Sequence, residues 1–441
     1  MSVISEIEFQ VPETVKQFQE QGLRTLLLYL SEQSPFYKRH FTENGISVST
    51  VKTLEDLHLI PTISKDDLQR NNWDFICIPR REIAEYTSTS GTSGKPVTVA
   101  LSKNDLDRLA YNECLSFSCA GADAGDLYQL MLTLDRQFMA GMAYYNGLHK
   151  LDAGVIRTGA GLPAMQLEAI RNLQPDAVVA VPSFVIKLIE FAQETGCDLG
   201  TTSVRKIICI GENIRNADFE LNALGKKIRS SWNVELLSTY ASTEMQTAFT
   251  ECAHGRGGHH HPELLIVEFL DDDGKHVLDG SPGELTITTL GIEGMPLLRF
   301  RTGDIAIAHR EKCACGRTSL RISPILGRKQ QMLKLKGTTL FPQGIFDLVN
   351  SLDFIEDYTV EAITGPMDTD EINVHLLAGT ADEVHVLKKL REAFQSQLRV
   401  VPNILFVTRV ELDKLQAQGL SRKVSKFIDH RKSYISQVAG Q

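Results

Sequence analysis

Apolar and polar positions change period several times along the chain. Near the N-terminus Val15, Phe18, Leu23, Leu26, Leu27 and Leu30 recur at helical spacing. They predict an amphipathic helix that buries these side chains. It should end near Ser34-Pro35, because proline disfavours helical geometry in its predecessor. A second helix is expected from about Ser64, with Lys65-Asp66-Asp67-Leu68 behind it. Between positions 176 and 239, short apolar runs alternate with helical patterns. The run 176–181 reads as a buried strand, followed by a helix capped by Ser183 and ended by Gly196. The run 205–210 is the next strand, then comes a helix capped near Asn216, then the strand 234–239. Strand and helix alternating through short links imply right-handed crossovers and a parallel sheet. Open α/β sheets bind ligands at the carboxyl ends of their strands. The loops there, Gly211-Glu212-Asn213 and Tyr240-Ala241-Ser242-Thr243-Glu244, are therefore candidate sites.

After Glu263 the period falls to two, and 264–270, 283–290 and 297–308 read as strands. Beyond Gly327-Arg328, the runs 333–337, 345–352, 372–378, 383–398 and 404–410 carry a fresh set of strands and helices. The expected fold class is α/β, with a large domain over 1–328 that joins a parallel-sheet βαβ core to a β-rich subdomain. A small α+β domain over 329–441 follows, its polar junction Lys329-Gln330-Gln331 reading as a hinge. No repeat of 20–50 residues points to a solenoid or propeller.

Composition narrows the classes further. Of 441 residues, 46 are Lys or Arg and 55 are Asp or Glu, a net charge of −9. That leaves no basic surface for neutralising nucleic-acid phosphates, so no nucleic-acid partner is expected. Apolar runs are interrupted well before ~20 residues, as by Pro182, Lys187 and Glu190, so no membrane partner is expected either. The N-terminal stretch has neither a basic region nor an apolar core segment, so it reads as no secretory signal. Eight cysteines in a chain of this length suggest reduced thiols and a cytoplasmic protein.

The most unusual run is Ser88-Thr89-Ser90-Gly91-Thr92-Ser93-Gly94-Lys95-Pro96. Its hydroxyls, glycines and lysine suit a loop that wraps phosphate, or else a solvated turn. Proline after Lys95 departs from a Walker loop. Val97, Val99 and Leu101 alternate behind it, so the loop should join two strands. Cys252, His259, Cys313 and Cys315 carry soft donors suited to a closed structural zinc site, with His254, His260 or His261 as alternative imidazoles. Unpaired thiols beside a histidine-rich loop are the other reading. Cys77, Cys114, Cys119, Cys197 and Cys209 lie in apolar contexts and read as small core residues.

The phosphate-type run resembles that of adenylate-forming enzymes. SPFYKRHF from Ser34, LIPTISKDDL from Leu59, Glu251-Cys252, RFRTGD at 299–304, CACGR at 313–317, RISPILGR at 321–328 and LKGTTLFP from Leu335 narrow the likeness. Together, in order from about residue 24 to 431, they resemble the phenylacetate–CoA ligase branch, including its coenzyme F390 synthetase-like members. The resemblance implies that Thr87 to Lys95 hold the β- and γ-phosphates of ATP. It implies that Tyr240 stacks on adenine, with Gly211, Glu212, Asn213, Ala241 and Ser242 around the nucleotide. Thr243 and Glu244 would serve Mg²⁺ and catalysis, Asp304 the ribose hydroxyls, and Arg328 the nucleotide. Lys423 would be the catalytic lysine of a mobile C-terminal domain, with Lys426 as the fallback. Phe138, Ala140, Gly141 and Tyr145 would line the acid pocket.

The implied activity is ATP-dependent activation of a small carboxylic acid, with coenzyme A as the thiol. A carrier-protein phosphopantetheine is the alternative thiol, and a non-catalytic nucleotide-binding module the rival class. A homodimer is a further expectation. Three stretches depart from the family pattern. GRxDDM reads Gly327-Arg328-Lys329-Gln330-Gln331-Met332, IRG reads Leu335-Lys336-Gly337, and the pocket stretch GGLGxHYG reads AGMAYYNG from Ala140.

Overall fold

The computed structural model describes residues 5–89, 96–335, 338–352, 354–365, 370–378, 383–417 and 426–431. The chain divides into two compact units, Met1–Ile325 and Leu326–Gln441.

The first unit opens with helices α1 (Pro12–Gln33) and α2 (Pro35–Glu43), separated by Ser34. Leu23, Leu26, Leu27 and Leu30 are buried, as their spacing predicts. Phe18 is not; it is 44% exposed, and Gln19 turns inward instead. Its Nε2 donates to the backbone carbonyls of Pro262 at 3.0 Å and Leu265 at 2.9 Å. Two carbonyls far along the chain thus receive a polar residue of the helix, and its buried face departs from the apolar average. Helix α3 (Lys65–Arg70) begins where expected, with a reciprocal capping box between Ser64 and Asp67. Strands β1 (Glu85–Ser88) and β2 (Thr98–Leu101) pair antiparallel, Ser88 opposite Thr98, so the Ser/Gly-rich run joins two strands.

The βαβ region then runs through α4 (Lys103–Cys119), β3 (Leu127–Leu130), α5 (Met139–Lys150), β4 (Gly154–Arg157) and α6 (Pro163–Leu173). It continues with β5 (Ala177–Ala180), α7 (Pro182–Glu194), β6 (Lys206–Ile210), α8 (Ala223–Ser231) and β7 (Glu235–Ser242). All five strands are parallel, in the order β4-β3-β5-β6-β7. Two expected caps are corrected. Ser183 lies inside α7 rather than before it, and its N–H and hydroxyl donate to the Glu212 carboxylate at 2.8 and 2.9 Å. A carboxylate from the next strand-end loop meets the helix terminus, where negative charge is favoured. Asn216 closes a turn, and α8 is capped by Asn222, whose side chain accepts from Gly225 N–H at 3.0 Å. Gly196, at φ +66°, does follow the end of α7.

Beyond β7 the sheet turns antiparallel through β8 (Thr247–Glu251), β9 (Gly258–His259), β10 (Leu265–Leu270), β11 (Pro282–Thr289), β12 (Phe300–His309) and β13 (Arg321–Ile322). Its spatial order continues β7-β8-β9-β13-β12-β11-β10, so the β-rich part extends the parallel core.

The second unit pairs the strands Leu333–Leu335 and Thr338–Leu340, then forms the helix Pro342–Asn350. A four-stranded sheet follows, ordered Asn403–Phe406, Asp370–Leu377, Asp357–Thr364, Phe427–Asp429. The helices Glu383–Gln397 and Arg409–Gln416 complete it. Strand Asp357–Thr364 is missing from the sequence-based segments; its inward residues Tyr358, Val360 and Ala362 are buried in the core of this unit. Among the described residues, no helix is long and apolar enough to cross a membrane.

Candidate functional site

The carboxyl ends of β6 and β7 bring the two candidate loops side by side. Gly211 takes φ +76°, a left-handed turn that glycine adopts without strain. Asn213 Nδ2 donates to the Ile325 carbonyl at 2.8 Å. Tyr240 Oη donates to Asp304 Oδ2 at 2.6 Å, so residues 64 positions apart share one hydrogen bond. Asp304 is 7% exposed, and its own N–H donates to Thr302 Oγ1. Ala241 is exposed and Ser242 half-buried.

Residues 242–246 form a tight turn. Gln246 N–H donates to the Ser242 carbonyl, Met245 N–H to Ser242 Oγ, and Gln246 closes the turn at φ +51°. Thr243 and Glu244 occupy its half-buried crest. Glu244 pairs with Lys65, the first residue of α3, at 3.3 Å. The motif reading missed Lys65 as a partner, although the Ser64-x-x-Asp67 signature fixes where its helix starts. It also missed Arg108 on α4. This buried guanidinium donates to the carbonyls of Gln246 (2.9 Å), Leu264 (2.7 Å) and Leu290 (2.7 Å). Burial lowers its pKa to about 10, which leaves it cationic at neutral pH. A lone arginine in a helix offers no sequence signal of such a role.

The hairpin base is well anchored. Thr89 N–H donates to the Val97 carbonyl, Val97 N–H to Thr89 Oγ1, and Ser88 N–H to the Gln137 carbonyl, each at 3.0 Å. Residues Ser90, Gly91, Thr92, Ser93, Gly94 and Lys95 lie outside the described residues. The contact to Gln137 links the hairpin to the segment leading into α5, where Arg136 and Gln137 both take φ +57°.

Helix α5 carries the predicted pocket residues. Phe138 occupies its N-cap position; Ala140 and Tyr145 are half-buried, and Gly141 is buried. Arg157 lies over the Tyr145 ring, 5.2 Å from its centroid.

In the second unit, Arg328 is exposed, and Lys423 lies outside the described residues. Lys426 is engaged: its ammonium pairs with Asp357 and sits 4.6 Å from the Tyr358 ring centroid. Burial would raise the Asp357 pKa, but Lys426 and its other donors hold it below the usual range.

The ligand atoms of Cys252, His259, Cys313 and Cys315 lie within 4.8 Å of one another. Cys252 and Cys313 sulfurs are 3.7 Å apart, and Cys315 Sγ lies 3.6 Å from His259 Nε2. Zn–S bonds near 2.3 Å in a tetrahedron put sulfurs about 3.8 Å apart, so the cluster fits zinc. Burial opposes ionisation of Cys315, yet hydrogen bonds from His259 and Arg317 outweigh it and bring its pKa to about 5. Burial pushes Cys252 up to about 12. The alternative imidazoles lie elsewhere. His254 is exposed; His260 faces the Leu265 carbonyl, and burial lowers its pKa to about 4. His261 is buried against the Glu8 carboxylate, which Arg317 also meets. Cys119 packs against Cys252 and Cys313 but directs its thiol to the Thr250 carbonyl.

Known proteins resemble this arrangement over most of its length. Residues 21–293 match the family model described as AMP-binding enzyme. The phenylacetate-coenzyme A ligase of Thermus thermophilus is 32% identical over 346 residues, 77% of this chain and 76% of its own. That of Escherichia coli K12 is 27% identical over 418 residues, 91% of this chain and 92% of its own. Among solved structures, 2-hydroxyisobutyryl-CoA ligase in the postadenylation state aligns with a TM-score of 0.82. It covers 99% of this chain and 93% of its own at 22% identity, a likeness of fold. Because the family match takes in the phosphate-type hairpin and both strand-end loops, the chain belongs to the family of AMP-binding enzymes.

Proposed function

We propose residue roles for an enzyme whose activity is the ATP-dependent, AMP-forming ligation of a carboxylic acid to coenzyme A. The substrate carboxylate attacks the α-phosphorus of ATP, and pyrophosphate leaves. The coenzyme A thiolate then attacks the acyl carbon of the adenylate, and AMP leaves. Splitting the reaction replaces hydroxide, a poor leaving group, with AMP. In our reading the hairpin loop from Ser88 to Lys95 receives the β- and γ-phosphates, Tyr240 the adenine and Asp304 the ribose. Arg328 belongs to the nucleotide as well. Mg²⁺, when bound, supplies positive charge to the phosphates, and Thr243 and Glu244 are the residues that would hold it. Until then the Lys65 ammonium balances the Glu244 carboxylate. The acid is assigned as aromatic, because Phe138 and Tyr145 flank Gly141 on α5 and the relatives above are named for phenylacetate. We assign the three thiols and His259 to a closed structural zinc site.

The observation that carries this reading is the Tyr240–Asp304 hydrogen bond, which joins β7 and β12 at the same loop cluster as Glu244. The test is ATP–pyrophosphate exchange with a panel of aromatic and aliphatic acids. Exchange should be strongest with an aromatic acid; folded protein that exchanges with none overturns the assignment. Lys423→Ala should slow exchange by roughly 10²–10³, as removal of a preorganised charge does. It should still convert supplied acyl adenylate to thioester. Lys426→Ala should retain both steps, since its ammonium is engaged by Asp357 and Tyr358. The reverse outcome would assign catalysis to Lys426.

A further inference from the structure

Gln246 is 1% exposed, and neither its Oε1 nor its Nε2 has a hydrogen-bond partner among the described residues. A buried amide left unpaired on both sides is costly and calls for a partner. Beside it lies a cavity of about 10 Å³ lined by Leu68, Val97, Val99, Glu244, Gln246, Met295 and Leu297. That volume admits about one water, and a water needs at least two polar partners. Of the lining side chains, only those of Glu244 and Gln246 are polar. The cavity also sits beneath three elements of the proposed site: α3 with Lys65, the return strand of the hairpin, and the 242–246 turn.

We propose that Gln246 is a positioning residue for Glu244, acting through one ordered water in this cavity. The water accepts a hydrogen bond from the Gln246 amide and donates one to the Glu244 carboxylate, orienting it for Mg²⁺. The left-handed backbone at Gln246 and the Arg108 bond to its main-chain carbonyl hold this residue's main chain beside the cavity that its side chain lines. Glu244 is the other side chain of the turn that lines the same space. The inference rests on the reading of Glu244 as the Mg²⁺ residue.

Two variants separate position from stability. Gln246→Met keeps the length and removes both polar atoms. Gln246→Asn tolerates the left-handed backbone well but is too short to reach the cavity. Both should raise the Mg²⁺ concentration that half-saturates ATP–pyrophosphate exchange about tenfold, the usual effect of losing an outer-shell partner of a metal ligand. Melting temperature should be unchanged or higher. A high-resolution crystal structure should show a water between Gln246 and Glu244 in the parent protein and none in Gln246→Met. Absence of that water, or an unchanged Mg²⁺ dependence in both variants, overturns the inference. Glu244→Gln, run in parallel, distinguishes the two failures. If it shifts the Mg²⁺ dependence while the Gln246 variants do not, Gln246 has no positioning role. If none of the three variants shifts it, the assignment of Glu244 fails and the role of Gln246 falls with it.

Discussion

Glu113 lies on α4, facing α5, 5% exposed, with Asn112 Nδ2 donating to it at 2.9 Å. Burial raises its pKa from 4.5 to about 8, against the opposing pull of Asn112. The folded protein therefore keeps a proton that the unfolded chain releases between these values. Stability is lost as pH climbs through that window, on the order of 3 kcal/mol by pH 7 at 1.36 kcal/mol per unit. Glu113→Gln should abolish the loss. Denaturant midpoints at pH 5 and pH 8 test this: the parent should fall between them and the variant should not. A flat parent profile would mean that Glu113 ionises freely. Nothing around Glu113 in the sequence marks it as buried. Asn112, Glu113 and Ser116 all sit inside, because α4 is covered on more than its apolar side.

At the scale of elements, glycine spacing carries information that apolar spacing does not. A Cβ on Gly141 would lie 2.3 Å from the Thr133 carbonyl oxygen and 2.9 Å from Leu134 Cα, both backbone atoms. A Cβ on Gly147 would lie 2.4 Å from the Glu113 Cβ on α4. Helix α5 is therefore wedged between a loop and a helix, which holds Phe138 and Tyr145 at fixed depth. Gly141→Ala must push α5 outward, with an expected destabilisation of roughly 1–3 kcal/mol. The Michaelis constant for the acid should rise more than that for ATP. Equal changes in both constants would remove Gly141 from the acid pocket. Element existence was legible from β5 to β7, where short apolar runs alternate with helical patterns; β3 and β4, which carry Gln129 and Arg157, were not read. The α7 terminus and the face of α1 were not, since Glu212, Pro262 and Leu265 complete them from distant positions; the α8 cap is local, but it falls to Asn222 rather than Asn216.

Across the first unit, the thiol–imidazole cluster gathers the end of β8, strand β9 and the 313–315 turn. Glu8 ties the N-terminal segment to the same place through Arg317 and through Thr318 N–H at 2.8 Å. Chelator-washed protein should contain about one zinc per chain, and Cys313→Ser should lower melting temperature more than it lowers exchange in the molecules that remain folded. Metal-free protein of unchanged melting temperature and full activity would sink the zinc assignment.

The sequence by itself determined the αβ alternation, the switch to antiparallel strands, the hairpin carrying Ser88 to Lys95 and the residue types available for nucleotide chemistry. These follow from local periodicity and short motifs, which neighbouring residues are enough to specify. Only the tertiary structure decided which histidine of four lies with the thiols, that Tyr240 meets Asp304, that Lys65 balances Glu244, that Gln246 is buried in the turn beside Glu244, and that Arg108 bonds the carbonyl of Gln246. Those choices depend on which strand ends become neighbours in the sheet. Buried polar groups must find partners there, and their partners are separated by tens to hundreds of residues along the chain.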